Sequence, residues 1–313
     1  MNKRVSIIIP TFNRAEIIKE TIESIRNQTY TNWECIIVDG DSTDQSEIKI
    51  PSYFKSDNRF QYHVLPIKSN KGPNPSRNFG FNLATGDYVY FFDSDDILMP
   101  FAFETYISNF ENEYDVVIAR LEKVDHKSKK TISINTIQSD NIIEDYFTGV
   151  VSFYVCGPMW RKSFLDKQTQ LFDNEISNLD DWDFNLRMLY NQPKIKYLDK
   201  VLIHYFQHEA SLKQELNKLN FSEIDSAFRA RYKHLTLITK YELGFKNIYL
   251  GHINNFYKHY LRLTLRSKSN DYLFFLIKIL KIEWELFNVM KVFKVVIGTF
   301  MYKYLKKGER FLY

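Results

Sequence analysis

The chain has 313 residues, 42 Lys+Arg against 38 Asp+Glu, a formal net charge of +4, and 44% hydrophobic with 16% aromatic content. That apolar content excludes a disordered chain, and at roughly 150 residues per domain the length suggests two domains. Two cysteines, Cys35 and Cys156, lie far apart with no Cys or His at metal-ligand spacing, which excludes a disulfide framework and a zinc ribbon and fits a reducing compartment.

The opening MNKRVSIIIPTFNR has only a brief apolar run, broken by Pro10, so it does not read as a signal peptide. Val5 to Ile9 is a β-branched strand. Asn13 and Glu16 then suit the two ends of a capping box, and Ile17, Ile18, Thr21, Ile22 and Ile25 recur at helical spacing. Trp33 to Val38 is a second strand, stopped by the polar cluster Asp39 to Asp44. Another cycle follows: a strand from Gln61 to Leu65, a Gly/Pro/Asn loop from Lys68 to Pro75, a helix from Ser76 to about Leu83, and a strand from Asp87 to Phe92. Alternation of this kind predicts an α/β fold with a mainly parallel sheet covered on both faces. Beyond Pro100 the pattern is mixed, with a strand at Asp115 to Ala119, an apolar stretch from Val150 to Trp160 and a helix from Asp181 to Tyr190; from Leu212 onward the apolar spacing is helical.

Ligands of open α/β sheets sit outside the carboxyl ends of the strands, which here means Thr11 to Arg14, Asp39 to Asp44 and Asp93 to Asp96. There is neither a G-x-G fingerprint nor a P-loop. Asp93-Ser94-Asp95-Asp96 crowds three carboxylates after an apolar strand, where Mn2+ or Mg2+ would offset their repulsion; the alternative is a solvated turn capping a helix from Ile97 to Phe110. Asp39 can accept a pyrimidine ring N–H, with Thr11 and Asn13 nearby, or can form an ordinary Asx-turn. Arg77, at a helix start, suits a phosphate or ribose neighbour, or a surface ion pair. Asp180, Asp181 and Asp183 suit the dipole of a first helical turn, yet Trp182 beside two carboxylates could raise one pKa to that of a general base. His204 and His208 follow, and His208 reads either as a structural residue or as a ligand to a metal or diphosphate.

In order and spacing, Val5-Ser6-Ile7-Ile8-Ile9-Pro10-Thr11-Phe12-Asn13-Arg14, Val38 to Asp44, Arg77-Asn78-x-Gly80 and Phe92-Asp93-Ser94-Asp95-Asp96 resemble the family 2 glycosyltransferases. The resemblance covers about residues 3 to 212 and implies a GT-A domain over 1–212, with a nucleotide-binding half at 1–100 and an acceptor half at 101–212, followed by a helical region at 213–313. It implies inverting, metal-dependent transfer of a sugar from a nucleotide-diphosphosugar donor, a UDP-sugar, to a glycan or lipid-linked saccharide of a bacterial surface polysaccharide. By the same resemblance Pro10, Thr11, Asn13, Arg14, Asp39, Asp41, Arg77, Asp93, Ser94 and Asp180 bind the nucleotide-sugar. Asp95 and His208, the latter in His-x-x-Ser, hold Mn2+ or Mg2+, and Asp181 is the catalytic base. Family members usually carry Glu-Asp where this chain has Asp180-Asp181, and Asp-Gly-Ser where it has Asp39-Gly40-Asp41-Ser42.

The basic excess is local, with eight Lys/Arg against three Glu between Lys278 and Arg310. Interleaved with Trp284, Phe287, Phe293, Phe300, Tyr302 and Tyr304, it reads either as an interfacial helix on anionic lipid or as a helical bundle packed on the catalytic domain with its lysines in water. The first makes the protein peripheral at the inner face of the plasma membrane, the second simply cytoplasmic. Nucleic acid is not an expected partner, because no recognition module is visible and the net charge is mild. A sugar nucleotidyltransferase would need a Gly-rich N-terminal loop, and no Gly precedes Gly40. The remaining alternative is a non-catalytic nucleotide-sugar or carbohydrate-binding protein on the same fold.

Overall fold

The computed structural model describes residues 3–66, 72–207 and 220–312. The chain divides into two compact units, Met1–Leu216 and Asn217–Tyr313. The boundary expected after residue 212 falls among residues outside the described ones.

The first unit opens with β1 (Val5–Thr11), α1 (Ile18–Arg26), β2 (Trp33–Asp39), α2 (Ser46–Tyr53), β3 (Phe60–Val64), α3 (Pro73–Leu83) and β4 (Tyr88–Phe91). β1 pairs in parallel with β2 and β4, and β2 with β3. Every residue of β1, β2 and β4 is buried, as expected for central parallel strands covered on both faces. α1 turns Ile18, Thr21, Ile22 and Ile25 onto the sheet. α3 comes so close that a Cβ on Gly80 would lie 2.5 Å from Ile8 Cγ2 and 3.3 Å from Val38 Cγ2.

The unit continues with β5 (Ile97–Leu98), α4 (Ala102–Ser108), β6 (Val116–Asp125), β7 (Thr131–Ile134), α5 (Ile142–Thr148), β8 (Pro158–Arg161), α6 (Lys162–Leu165), α7 (Asp180–Tyr190) and β9 (Ile195–Gln207). The order in the sheet is β3-β2-β1-β4-β8-β6-β9-β5, with β7 on β6. β8 runs antiparallel between β4 and β6, while β9 is parallel to β6 and β5 antiparallel to β9. The result is a mixed, mainly parallel sheet.

Three local expectations fail for physical reasons. Asn13 does not cap α1: it sits at φ 51°, its side chain accepts from the Thr43 N–H, and the helix begins five residues later, behind Ile17. Glu16 pairs with Lys49 instead of closing a capping box. The helix expected from Ile97 to Phe110 is interrupted, because Ile97 and Leu98 find strand partners in His204 and Ile203 of β9. α3 starts at Pro73, before the expected Ser76, with proline at its first position, where the missing N–H costs nothing.

The second unit is wholly helical among its described residues: α8 (Phe221–Lys240), α9 (Lys246–Arg266), α10 (Tyr272–Glu285), α11 (Val289–Leu305) and a final 3-10 turn, Glu309–Leu312. Phe228 stacks on Tyr257 at 3.9 Å between ring centres and Tyr260 on Phe275 at 5.6 Å. Buried Glu283 accepts from Asn254 at 2.7 Å and pairs with Lys258 at 2.9 Å, so its charge is compensated inside the bundle. The closing turn lies against Gly298, where a Cβ would meet Phe311 Cβ at 2.6 Å.

Candidate active site

The carboxyl ends of β1, β2 and β4 lie side by side, since Thr11 pairs with Asp39 and Ile8 with Phe91. The loops leaving β1 and β2 are stitched together. Asn13 N–H donates to Ser42 Oγ at 2.8 Å, Thr43 N–H to Asn13 Oδ1 at 2.8 Å, Gly40 N–H to the Thr11 carbonyl at 2.9 Å, and Ala15 N–H to Asp44 Oδ2 at 2.9 Å. Asp39 is buried; its Oδ1 accepts from Ser42 N–H at 2.9 Å and Oγ at 2.6 Å, the Asx-turn geometry, and its Oδ2 accepts from Tyr62. Buried Thr11 Oγ1 beside it has no hydrogen-bond partner among the described residues. Pro10 is buried in β1, and Asp41 is exposed at φ 71°.

Arg77 joins the two halves of this unit. α3 carries it with Asn74, Pro75 and Ser76 on its buried side. Its guanidinium donates to Asp93 Oδ1 at 2.8 Å, to Asp180 Oδ2 at 2.6 Å and to Asn74 Oδ1 at 3.2 Å, leaving Nε without a partner among the described residues. The two carboxylates outweigh the cost of burial and hold Arg77 firmly protonated.

Asp93-Ser94-Asp95-Asp96 forms the turn between β4 and β5. Asp95 pairs with Arg14 at 2.6 Å, Ser94 is buried, and Asp96 is buried with Oδ1 accepting from Phe206 N–H at 3.0 Å. Its Oδ2 has no partner among the described residues. Burial, followed by the Asp95 and Asp93 charges, pushes the Asp96 carboxyl well up. Hard oxygen donors of this kind suit Mn2+ or Mg2+, and a cation there would relieve the carboxylate repulsion that helps push Asp96 up. Among the described residues, no three His, Cys, Asp or Glu converge into a metal cage. His208, expected as a second ligand, lies outside the described residues.

In the second half of this unit α7 begins behind Leu179, whose φ of 66° is rare for a bulky residue and aims the first turn of the helix. Asp181 Oδ1 accepts from the N–H of Trp182 at 2.7 Å, and the Trp182 indole donates to the Tyr146 carbonyl at 3.2 Å. Burial is the main reason the Asp181 carboxyl is raised to about 7; the Asp180 charge adds to it and Arg77 opposes it. Asp183 is committed elsewhere, to Arg187 at 2.8 Å.

The structure also gathers residues that the sequence did not mark. Lys123 lies on the part of β6 beyond the expected strand end, its ammonium 4.9 Å from the Tyr154 ring centre. Burial lowers its pKa while the Asp181 charge supports it. Tyr62 was hidden in an unremarkable strand, and Asp96 was visible only as part of the acidic cluster. No motif flags Lys123 or Tyr62; the acidic run itself was the signal for Asp96.

The profile of glycosyl transferase family 2 matches residues 6–169. The chain is 29% identical over 244 residues to the poly(ribitol-phosphate) beta-N-acetylglucosaminyltransferase TarP of Staphylococcus aureus, covering 74% of this chain and 73% of TarP. It is 29% identical over 225 residues to EpsH of Bacillus subtilis, 69% of this chain and 64% of that relative, so less than two thirds of EpsH is spanned. A GalNAc(5)-diNAcBac-PP-undecaprenol beta-1,3-glucosyltransferase of Campylobacter jejuni is 33% identical over 129 residues, 41% of either chain. Among solved structures, Staphylococcus aureus TarS 1-349 in complex with UDP-GlcNAc aligns at TM-score 0.57 with 18% identity over 88% of both chains. The mannosyltransferase PcManGT of Pyrobaculum calidifontis in complex with GDP-Man and Mn2+ aligns at 0.57 with 13% identity over 97% of this chain and 88% of its own. At such identities these two establish the shared fold.

Proposed function

The chain belongs to glycosyl transferase family 2 and has the GT-A fold, and on that footing we propose that it transfers a sugar from a UDP-sugar to a hydroxyl of a bacterial surface glycan or its lipid-linked precursor, inverting the anomeric carbon. The observation that carries this reading is Asp181, a carboxyl raised to about 7 at the start of α7, one residue from the Asp180–Arg77–Asp93 chain that reaches the end of β4. A general base works best with a pKa near the operating pH. TarS bound to UDP-GlcNAc and the N-acetylglucosaminyltransferase TarP favour the UDP-sugar, and the undecaprenol-linked substrate named for the Campylobacter relative favours a lipid-linked acceptor.

In this mechanism Asp181 takes the proton of the acceptor hydroxyl as that oxygen bonds to the anomeric carbon. The bond from that carbon to the diphosphate breaks on the opposite face, and its electron pair leaves with the nucleotide. Thr11, Asn13 and Asp39, with Pro10, Arg14, Asp41 and Ser94 around them, form the nucleotide end of the site. Arg77 fixes Asp93 and Asp180 in register, so that donor and acceptor sides keep one geometry beside the ribose and diphosphate. Asp95, with Asp93 beside it, would hold Mn2+ or Mg2+, which when bound stabilises charge on the departing diphosphate.

Calorimetric titration with UDP, GDP, CDP and ADP, each with and without Mn2+, tests the reading. Metal-dependent binding of UDP is expected; binding of none of the four would overturn it, and a preference for GDP would replace the donor class.

A further inference from the structure

The surface of the second unit inverts the usual arrangement. α11 packs through Val295, Gly298 and Thr299, and on its opposite side, where a helix in water carries polar groups, it presents Val289, Met290, Phe293, Val296, Ile297, Phe300 and Tyr304. These recur every three to four residues along the helix, and Met290 and Phe293 are 74% and 64% exposed. α10 also carries exposed apolar residues on one of its own faces, Leu273, Ile277 and Trp284, and Phe287 in the turn between the two helices is 91% exposed. A lysine-faced bundle, the alternative raised by the sequence, would show charge along this side. Contiguous apolar strips of this extent mark an interaction surface.

Charge identifies the partner. Lys291 and Lys294 stand on α11 outside the apolar strip, and with Lys258, Arg310, Val295 and Phe311 they line a cavity of about 290 Å³. Lys258 is already neutralised by Glu283, which leaves Lys291, Lys294 and Arg310 for an incoming anion. Lys281, Lys306 and Lys307 are also exposed in this segment. Two copies meeting face to face would bring these lysines against each other, whereas an anionic lipid surface offers hydrocarbon to the strip and phosphate to its rim. No helix among the described residues is long and apolar enough to cross a membrane, so the arrangement suits a helix lying in the interface.

We propose that the exposed apolar face of α11, with that of α10, seats the protein on an anionic bilayer surface, the exposed lysines Lys291, Lys294, Lys306 and Lys307 drawing it to the lipid phosphates. This stands apart from the transfer reading, since it concerns where the chain rests and not what it catalyses.

Flotation of the full chain with phosphatidylglycerol-containing vesicles, against pure phosphatidylcholine, at low and high salt, tests it. Binding at least tenfold stronger to the anionic vesicles and weakened by salt is expected. Lys291→Gln with Lys294→Gln should weaken it roughly thirtyfold at low salt, from about 1 kcal/mol per lysine near the surface. Phe293→Glu with Phe300→Glu should abolish it, with the melting transition by circular dichroism retained in both variants. No binding to anionic vesicles, equal binding to both lipids, or unaltered binding by the phenylalanine pair would overturn the proposal. So would a stable dimer in solution that the phenylalanine pair dissociates, which would give the face to a second copy.

Discussion

In the unit Met1–Leu216 the groups out of place are charges, buried where strands end; in the unit Asn217–Tyr313 they are hydrocarbons, exposed along one side of two helices. Both departures cost free energy, and the two units meet that cost differently. Arg77, Asp93, Asp180 and Asn74 satisfy one another within a few ångströms, so the buried charge is compensated inside the chain. The strip on α11 has no such internal answer: its side chains stay in water while Val295, Gly298 and Thr299 do the packing. Buried Glu283 shows that the second unit also compensates charge when it holds one. The contrast separates a site completed largely from within from a surface completed from outside.

The sharpest way to break that contrast is Asp181→Asn. Loss of a general base should lower transfer by about 10²- to 10⁴-fold with nucleotide affinity unchanged, measured as turnover and by titration. Wild-type transfer should rise with pH through about 7, as Asp181 loses its proton among Asp180, Arg77, Asp93 and Lys123, and the variant should lose that limb. The same shift has a stability consequence. Folded Asp181 holds its proton to a higher pH than the unfolded chain does, so its contribution falls as pH rises from about 4 to about 7. Asp181→Asn should therefore gain stability over wild type across that window in urea denaturation, and equal stability at neutral pH would remove the buried-base reading.

Arg77→Met tests compensation directly. It leaves Asp93 and Asp180 facing each other without their cation and should cost about 3 to 5 kcal/mol in denaturant unfolding, with nucleotide binding weakened as well. Gly80→Ala comes next. Its methyl group would press on Ile8 and Val38, two buried branched residues that cannot swing away, and about 1 to 3 kcal/mol of destabilisation is expected, read as a lowered melting temperature. The smallest effect belongs to the second unit: Phe300→Gln, on the exposed strip, should change stability in solution by less than about 0.5 kcal/mol. A loss as large as that of Gly80→Ala would mean that the strip is packed after all, and the contrast between the units would fail.

Much of the architecture of the first hundred residues is legible in the sequence because its strands are short β-branched runs ended by polar clusters, and both signals are local. Val5 to Ile9, Trp33 to Val38 and Asp87 to Phe92 lie within one or two residues of β1, β2 and β4. β9 escaped, since Ile195 to Gln207 mixes Lys, Asp and His through a strand that is only partly buried, and α2, with Pro51 inside it, lacks a strong helical pattern. Asn13 and Glu16 show the limit of reading caps by type: a side chain that can bond a helix end also bonds a neighbouring loop or helix, as Asn13 does with Thr43 and Glu16 with Lys49.

What the sequence determined by itself was the set of chemical groups at the strand ends and the alternation that makes strand ends matter, because backbone periodicity and side-chain polarity are written residue by residue. Tertiary structure alone decided which groups meet. Asp180 and Asp93 are 87 positions apart and share Arg77, Lys123 comes under the charge of Asp181 only because β6 runs past its expected end, and the apolar strip of α11 is exposed because Val295, Gly298 and Thr299 take the packed side. Pairing over such separations depends on chain closure and on which face of a helix a neighbour covers, and neither is encoded in local spacing.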